Sequence, residues 1–135
     1  MTGPSERPTV TVVGLGPGGP DLVTDGAARA IAAARHAWVR TRRHPAAELL
    51  ASAATFDDLY ESLDRIEDVY RGIVETLVAA AAEHGEVLYA VPGSPLVAEH
   101  AVELLLADDR VTTQVLPALL FLDLAWPRLG VDPVA

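Results

Sequence analysis

Three glycines near the amino terminus have a spacing that could serve a phosphate-bearing ligand. Gly14, Gly16 and Gly19 fit the G-x-G-x-x-G pattern. In that pattern the first glycine allows a tight turn, the second lets the backbone approach the ligand, and the third lets a helix pack closely. The next predicted helix begins only at Thr24, so its N-terminus is displaced from the glycines and cannot hold a pyrophosphate beside them. We therefore favour a loop lining another kind of ligand site, with a dinucleotide site and a purely structural turn as alternatives.

A second segment, Pro92-Gly93-Ser94-Pro95, connects a predicted strand to a predicted helix. Its two prolines restrict φ, and Gly93 supplies conformational freedom between them. Such a loop is stiff, and it offers a ligand backbone amides and carbonyls rather than an acidic or basic side chain. A plain strand-to-helix connection is the alternative interpretation.

Arg40, Arg42, Arg43 and His44 form the basic cluster of the sequence. Guanidinium groups bind carboxylates and phosphates in fixed geometry, so this segment either meets an anionic ligand or is a solvated turn. The same arginines keep an NADP site open as a minor alternative. They stand after the second predicted strand, where an NAD site would carry an acid for the ribose.

Six acidic residues precede or begin the longest predicted helix: Asp57, Asp58, Glu61, Asp64, Glu67 and Asp68. Carboxylates at this spacing are candidate magnesium ligands. Acids at a helix N-terminus are also favoured by the helix dipole without any metal, and we predict no metal site. The histidines are scattered and expected to be solvated: His36, His44, His84 and His100.

The overall composition excludes several classes of function. The 135 residues include 19 acids, 10 bases and no cysteine, for a net charge of -9. An acidic surface opposes binding to a nucleic acid backbone or to anionic membranes. The lack of cysteine excludes thiolate catalysis, disulfides and cysteine-bound zinc. No signal peptide and no apolar run long enough to span a bilayer is visible, so we expect a cytoplasmic protein.

The hydrophobic pattern alternates between short β-branched runs and helical periodicity. Such alternation predicts an α/β fold with a mainly parallel sheet flanked by helices. Strands are predicted over residues 10–13, 37–41, 87–91 and 111–116, and helices over residues 24–36, 46–51, 66–84, 96–106 and 119–129. Loops 14–20, 92–95 and 117–118 each follow a strand, so they should meet at one edge of the sheet, where such folds bind ligands.

Three segments in this order resemble the tetrapyrrole (corrin/porphyrin) methylase family. They are residues 12–24 (VVGLGPGGPDLVT), 89–99 (YAVPGSPLVAE) and 115–123 (VLPALLFLD). Residues 40–45 and 56–60 further resemble the branch in which the methylase is fused to a MazG-type nucleotide pyrophosphohydrolase. The resemblance implies S-adenosylmethionine as the cofactor, bound mostly by backbone atoms, and methyl transfer that depends on orientation of the reactants.

The resemblance also implies which residues line the site. The cofactor side would comprise Pro92, Gly93, Ser94, Pro95, Leu96, Pro117, Ala118 and Leu119. The side for the methyl acceptor, a small molecule, would comprise Gly14, Gly16, Pro17, Gly18, Arg42 and Arg43. It assigns no catalytic residue, and methyl transfer can proceed without a dedicated acid or base.

The resemblance sets expectations for domains and partners as well. Residues 1–8 are expected to be flexible, and residues 9–135 to form the first of two methylase subdomains. Helix 119–129 is apolar around its whole circumference, so we expect it to be covered by the second subdomain or by a second copy in a homodimer. Ser94 and Leu120 replace the aspartate and serine common in the family. They motivate the alternative of a non-catalytic dimerisation or regulatory module of a nucleoside triphosphate pyrophosphohydrolase.

Overall fold

The computed structural model describes residues 6–134, and it contains a parallel sheet with strand order β3-β2-β4-β1-β5. Its strands are β1 (Thr9–Gly14), β2 (Ala37–Val39), β3 (Ala54–Thr55), β4 (Glu86–Val91) and β5 (Thr112–Val115). Val10, Val12 and Val13 of β1 are fully buried, because a parallel sheet is covered on both faces. The predicted α/β fold is confirmed.

Helices cover both faces of the sheet. They are α1 (Asp25–Ala33), α2 (Asp57–Ser62), α3 (Ile66–His84), α4 (His100–Leu106) and α5 (Phe121–Leu129), with 3₁₀ helices at Pro20–Leu22 and Pro45–Leu50. The α3 and α4 helices pack with Val12, Tyr89 and Val91 in one core. On the other face, α1 and the 3₁₀ helix 45–50 pack with Val13, Val39 and Ala90.

Helices α1 and α3 agree best with the sequence predictions, and local interactions explain why they form. The Thr24 hydroxyl accepts the Ala27 N–H at 3.1 Å and caps the start of α1. In α3 the apolar stripe that includes Ile73 and Leu77 is buried, and each such side chain contributes about 2 kcal/mol to folding. Gly85 ends α3 with φ of +85°, a conformation that favours glycine.

Several boundaries differ from the predictions. The helix predicted from residue 96 begins at His100, because a turn closes from Val97 N–H to Ser94 O at 3.2 Å and Ala98 has a non-helical φ of +58°. The last helix begins at Phe121 rather than residue 119, and it continues through Pro127. The sequence pattern missed β3 and α2, which have only 2 and 6 residues.

The predicted flexible segment 1–8 lies partly outside the described residues, which begin at residue 6. Within the described part, Pro8 O accepts the N–H of Thr112 at 2.8 Å, and Arg7 Nη1 donates to Asp109 O at 3.1 Å. Between residues 6 and 134, no helix has both the length and the apolar character needed to cross a bilayer.

Candidate functional site

Three loops meet at Gly14, the last residue of β1. A Cβ placed on Gly14 would lie 2.4 Å from Gly93 O, 2.5 Å from Ala118 Cβ and 2.8 Å from Pro95 Cδ. These three neighbours belong to the loops after β4 and β5. The strand register, with Gly14 opposite Val91 and Val12 opposite Val115, brings the carboxyl ends of the strands to one edge. The predicted convergence of the loops is therefore present.

The loops after β1 and β4 are joined by backbone hydrogen bonds. Gly16 N–H donates to Gly93 O at 3.1 Å, and Gly93 N–H donates to Gly16 O at 3.0 Å. Both glycines have positive φ, +75° at Gly16 and +63° at Gly93, which a side chain would strain. This bridge holds the two glycine-bearing loops in a fixed relation.

A cavity of about 380 Å³ opens beside this bridge. It is lined by Gly16, Pro17, His44, Pro92, Gly93, Ser94, Val97, Ala98, Leu120 and Phe121. Five of these are among the predicted site residues: Gly16, Pro17, Pro92, Gly93 and Ser94. The wall formed by Leu120 and Phe121 comes from the start of α5, so the last helix contributes to the site.

The other predicted loop residues are not among the residues that line this cavity. Pro95 is buried, and Pro95 and Ala118 both lie close to Gly14. A Cβ on Gly18 would meet Leu22 Cδ1 at 2.7 Å. Leu96 borders a neighbouring cavity of about 290 Å³, and Pro117 and Leu119 are exposed.

His44 lines the cavity, although the sequence predicted a solvated side chain within the basic cluster. Its Nδ1 accepts the N–H of Ala46 at 3.0 Å, which starts the 3₁₀ helix. Because a backbone N–H can only donate, the proton of the neutral ring is on Nε2, which donates to Gly16 O at 3.0 Å. The sequence contained one sign of this role, since His44 directly precedes Pro45 at the start of a predicted helix.

Arg42 and Arg43 lie next to each other in sequence but have different surroundings. The Arg42 guanidinium donates to the carbonyls of Ala47 at 3.4 Å and Leu50 at 2.7 Å, and also to that of Ala53. Arg43 pairs with Glu61 at 3.1 Å, and its side chain is 79% exposed. Arg42 therefore ties the 3₁₀ helix 45–50 to the residues that follow it. A contact of either arginine with substrate stays a prediction.

The predicted acidic cluster is divided between α2 and α3, whose first turns hold Asp57 and Asp58, and Glu67 and Asp68. Asp57 accepts the N–H of Arg42 at 2.9 Å. Partial burial works to raise the pKa of Asp57, but the hydrogen bonds from Arg42 N–H and from threonine hydroxyls hold it below its ordinary value. Asp57 thus links α2 to the basic turn.

An ion pair with a buried carboxylate joins the residue after β2 to the residue before α4. Arg40 Nε is 3.0 Å from Glu99 Oε1, and the Glu99 side chain is 7% exposed. Burial raises the pKa of the Glu99 carboxyl to about 7, against the opposing effect of Arg40. The pKa of the nearby Tyr89 hydroxyl is raised by burial as well, so that tyrosine remains neutral.

Two larger cavities lie away from this edge. One, of about 420 Å³, includes the rings of His36 and His84, which stack with centroids 3.6 Å apart. The other, of about 610 Å³, includes Tyr70 of α3 and Leu104 of α4. Neither is lined by a residue of the three converging loops, so the smaller cavity at Gly16 and Gly93 is the candidate site.

Comparison with known proteins gives matches over nearly the whole chain. The family described as Tetrapyrrole (Corrin/Porphyrin) Methylases matches residues 9–135. The uncharacterized protein YabN of Bacillus subtilis (strain 168) is 39% identical in an alignment over 132 residues that covers 93% of this chain and 27% of that protein. The chain therefore spans about a quarter of this relative.

Solved structures share the fold. Uroporphyrin-III C-methyltransferase from Thermus thermophilus superposes with a TM-score of 0.69 at 23% identity, over 93% of this chain and 54% of that one. A structure of the same enzyme with S-adenosylhomocysteine superposes with a TM-score of 0.61 at 24% identity, over 84% of this chain and 46% of that one. The chain spans about half the length of these enzymes. From the family match, the chain belongs to the tetrapyrrole (corrin/porphyrin) methylase family.

Proposed function

We propose that this chain is the cofactor- and acceptor-binding half of an S-adenosylmethionine-dependent methyltransferase. The observation that carries the proposal is the meeting of three strand-ending loops at Gly14, next to a cavity of about 380 Å³. Open parallel sheets bind small molecules at this edge, and the volume is in the usual range for such sites. Membership of the methylase family supports the reaction class.

The residues around the cavity fit a cofactor held mainly by backbone atoms. A Cβ on Gly93 would meet nothing within 4 Å, so there is room beside the backbone of that loop. When bound, S-adenosylmethionine supplies an electrophilic methyl group. Pro92, Gly93, Ser94 and Pro95 would hold and orient the cofactor, with Leu96, Pro117, Ala118 and Leu119 beside them. Gly14, Gly16, Pro17 and Gly18 would face the acceptor. Beside them would lie the exposed Arg43 and Arg42, whose guanidinium also binds backbone carbonyls.

Transfer of a methyl group to a nucleophile requires alignment and exclusion of water more than proton transfer. The stiff loops on either side of the Gly16–Gly93 bridge would supply the alignment, and Leu120 and Phe121 would exclude water. In this proposal no side chain acts as a general acid or base.

The proposal is tested by calorimetric titration of S-adenosylhomocysteine into this chain and into the longer natural protein. We expect the wild-type protein to bind the ligand. Leu120→Trp should abolish binding, because the larger side chain fills the cavity. The matched control Leu129→Trp adds the same ring at a position that is 73% exposed, and it should bind normally. No heat from either wild-type protein at millimolar ligand would refute the cofactor assignment.

A second candidate function is suggested by α5. No residue of α5 is buried, and Phe121 is 60% exposed. We propose that this apolar helix packs against the second subdomain of the same protein or against a second copy in a homodimer. A domain that served only this purpose would be a dimerisation or regulatory module of a nucleoside triphosphate pyrophosphohydrolase.

Light scattering tests whether α5 packs against a second copy of the chain or against the second subdomain. A dimer that becomes monomeric in Phe121→Ser supports the homodimer. A wild-type monomer that does not bind a dye for apolar surfaces would contradict any partner on this helix. Retained dimerisation without binding of S-adenosylhomocysteine would favour the non-catalytic module over the methyltransferase.

We also propose that the chain is part of a cytoplasmic protein that carries a MazG-type pyrophosphohydrolase domain. The support is the resemblance of residues 40–45 and 56–60 to that branch. Assay of the full-length gene product for pyrophosphate release from nucleoside triphosphates, together with cell fractionation, tests this. A full-length product without such a domain would contradict the fusion.

A further inference from the structure

The segment after β4 is anchored at two buried residues with three exposed residues between them. Pro95 and Glu99 are buried, whereas Leu96, Val97 and Ala98 are exposed. Val97 and Ala98 nonetheless line the candidate cavity. The exposed residues have little packing of their own, so the two buried anchors must determine where this wall of the cavity lies.

The anchor at Pro95 belongs to the loop contacts already described, and the anchor at Glu99 depends on Arg40. The backbone N–H of Arg40 donates to Ala90 O at 2.9 Å, which fixes Arg40 to β4. Its Nε lies 3.0 Å from Glu99 Oε1, and its guanidinium carbon lies 5.8 Å from the centre of the Tyr60 ring. Arg40 therefore connects the end of β2 to the residue that closes the loop after β4.

The residue between the cavity wall and this ion pair has a strained backbone. Ala98 has φ of +58°, and within residues 6–134 it is the non-glycine residue with positive φ. This region is unfavourable for a residue with a Cβ, and such strain persists only where the surroundings enforce it. The buried side chain of Glu99, one residue later, is placed to enforce it.

We propose that Arg40 and Glu99 form a clamp that holds Ala98 at positive φ and thereby positions loop 92–98 as a wall of the cofactor cavity. Both are positioning residues, because they act through Val97 and Ala98 and neither is among the residues lining the cavity. The cofactor part of this inference rests on the proposed function, whereas the loop geometry does not.

The loop geometry is tested by ¹⁵N NMR and hydrogen exchange on the chain without ligand. Glu99→Leu removes both carboxylate oxygens, so we expect shifted amide resonances at residues 93–98 and about tenfold faster exchange at Gly93 N–H. Glu99→Gln keeps an oxygen for Arg40 and should remain close to wild type. The control Glu75→Leu removes an exposed carboxylate that pairs with Arg110 at 2.7 Å, and it should leave these resonances in place.

A rescue experiment separates the clamp from a general contribution to folding. We expect Glu99→Leu to weaken binding of S-adenosylhomocysteine about five- to tenfold, the penalty of an alanine at positive φ. Adding Ala98→Gly, which removes that penalty, should restore most of the affinity and the wild-type resonances. Unchanged resonances in Glu99→Leu, or no rescue by Ala98→Gly, would overturn the clamp. If wild type binds no ligand, the cofactor assignment fails and the NMR result still decides the clamp.

Discussion

The Cα of Gly14 and the carbonyl oxygen of Gly93 are so close that no side chain fits between them. A Cβ on Gly14 would lie 2.4 Å from Gly93 O, a separation that real structures do not show. The end of the central strand is therefore in direct backbone contact with the loop that lines the candidate cavity. Glycine at position 14 is required by this close approach.

We predict that Gly14→Ala destabilises the protein by about 1–3 kcal/mol, the usual cost of overpacking a well-packed position. The new methyl group would also meet Ala118 Cβ at 2.5 Å and Pro95 Cδ at 2.8 Å, so all three loops must shift. Urea unfolding measures the loss. The same change at Gly26 in α1, where a Cβ meets nothing within 4 Å, should stabilise by about 0.5–1 kcal/mol. Equal effects at the two positions would contradict this account.

Arg42 should matter far more for stability than its neighbour Arg43. We expect Arg42→Met to lower the free energy of unfolding by about 2 kcal/mol, because the carbonyls of Ala47, Leu50 and Ala53 lose their charged donor. Arg43→Met breaks only an exposed ion pair with Glu61 and should change stability by less than about 0.5 kcal/mol. Thermal unfolding of both variants checks the difference. If Arg42→Met lost as little stability as Arg43→Met, the contacts of Arg42 with the carbonyls would not stabilise the protein.

His44 should contribute through two separable hydrogen bonds. His44→Asn retains a side-chain acceptor for the Ala46 N–H but does not reach Gly16 O, so we expect a loss of about 1 kcal/mol. His44→Ala removes both bonds and should lose about 2 kcal/mol. Urea unfolding measures these losses, and the NMR signal of Gly16 should move in both variants. If Gly16 does not respond to either change, the Nε2 bond is not formed in solution.

Glu99 should make stability depend on pH near neutrality. Its pKa is raised from 4.5 to about 7 in the folded protein by burial. Below about pH 4.5 the carboxyl is protonated whether folded or unfolded, so its contribution is fully present there. As pH rises towards 7 the unfolded chain releases the proton first, and stability falls by on the order of 3 kcal/mol.

Comparison with Glu99→Gln isolates this effect from other titrating groups. The charged and titratable side chains around Glu99 are Arg40, Tyr60, Tyr89, Tyr70, His100 and Glu103. They are common to both proteins. Denaturant unfolding between pH 4.5 and 8 should show the wild type losing stability relative to the variant, with most of the change between pH 5 and 7. A constant difference across this range would show that Glu99 is ionised throughout.

Local patterns in the sequence determined most of the secondary structure. The 3.6-residue spacing of apolar side chains identified α3, and the Thr24 cap and Gly85 marked helix ends correctly. The alternation of strands and helices was sufficient for a parallel sheet, since a parallel connection requires a long crossover. From that topology alone, the loops at Gly14, Gly93 and Ala118 were expected to meet, and they do.

Other features depended on contacts between residues distant in sequence. The helix predicted from residue 96 begins at His100, because the positive φ of Ala98 accompanies the burial of Glu99 against Arg40, 59 positions earlier. Arg42 was predicted to contact the acceptor, and local sequence gave no sign that its guanidinium also binds backbone carbonyls. His44 resembled a solvated residue, yet it contacts Gly16.

The sequence by itself determined the α/β class, the family and the loops that carry the candidate site, because these follow from periodicity and local motifs. Only the tertiary structure decided which polar side chains satisfy the protein's own backbone and buried groups. The physical reason is that a buried carbonyl or carboxylate must find a partner wherever the fold places one. Local sequence does not show whether Arg42 faces a ligand or the carbonyl of Leu50.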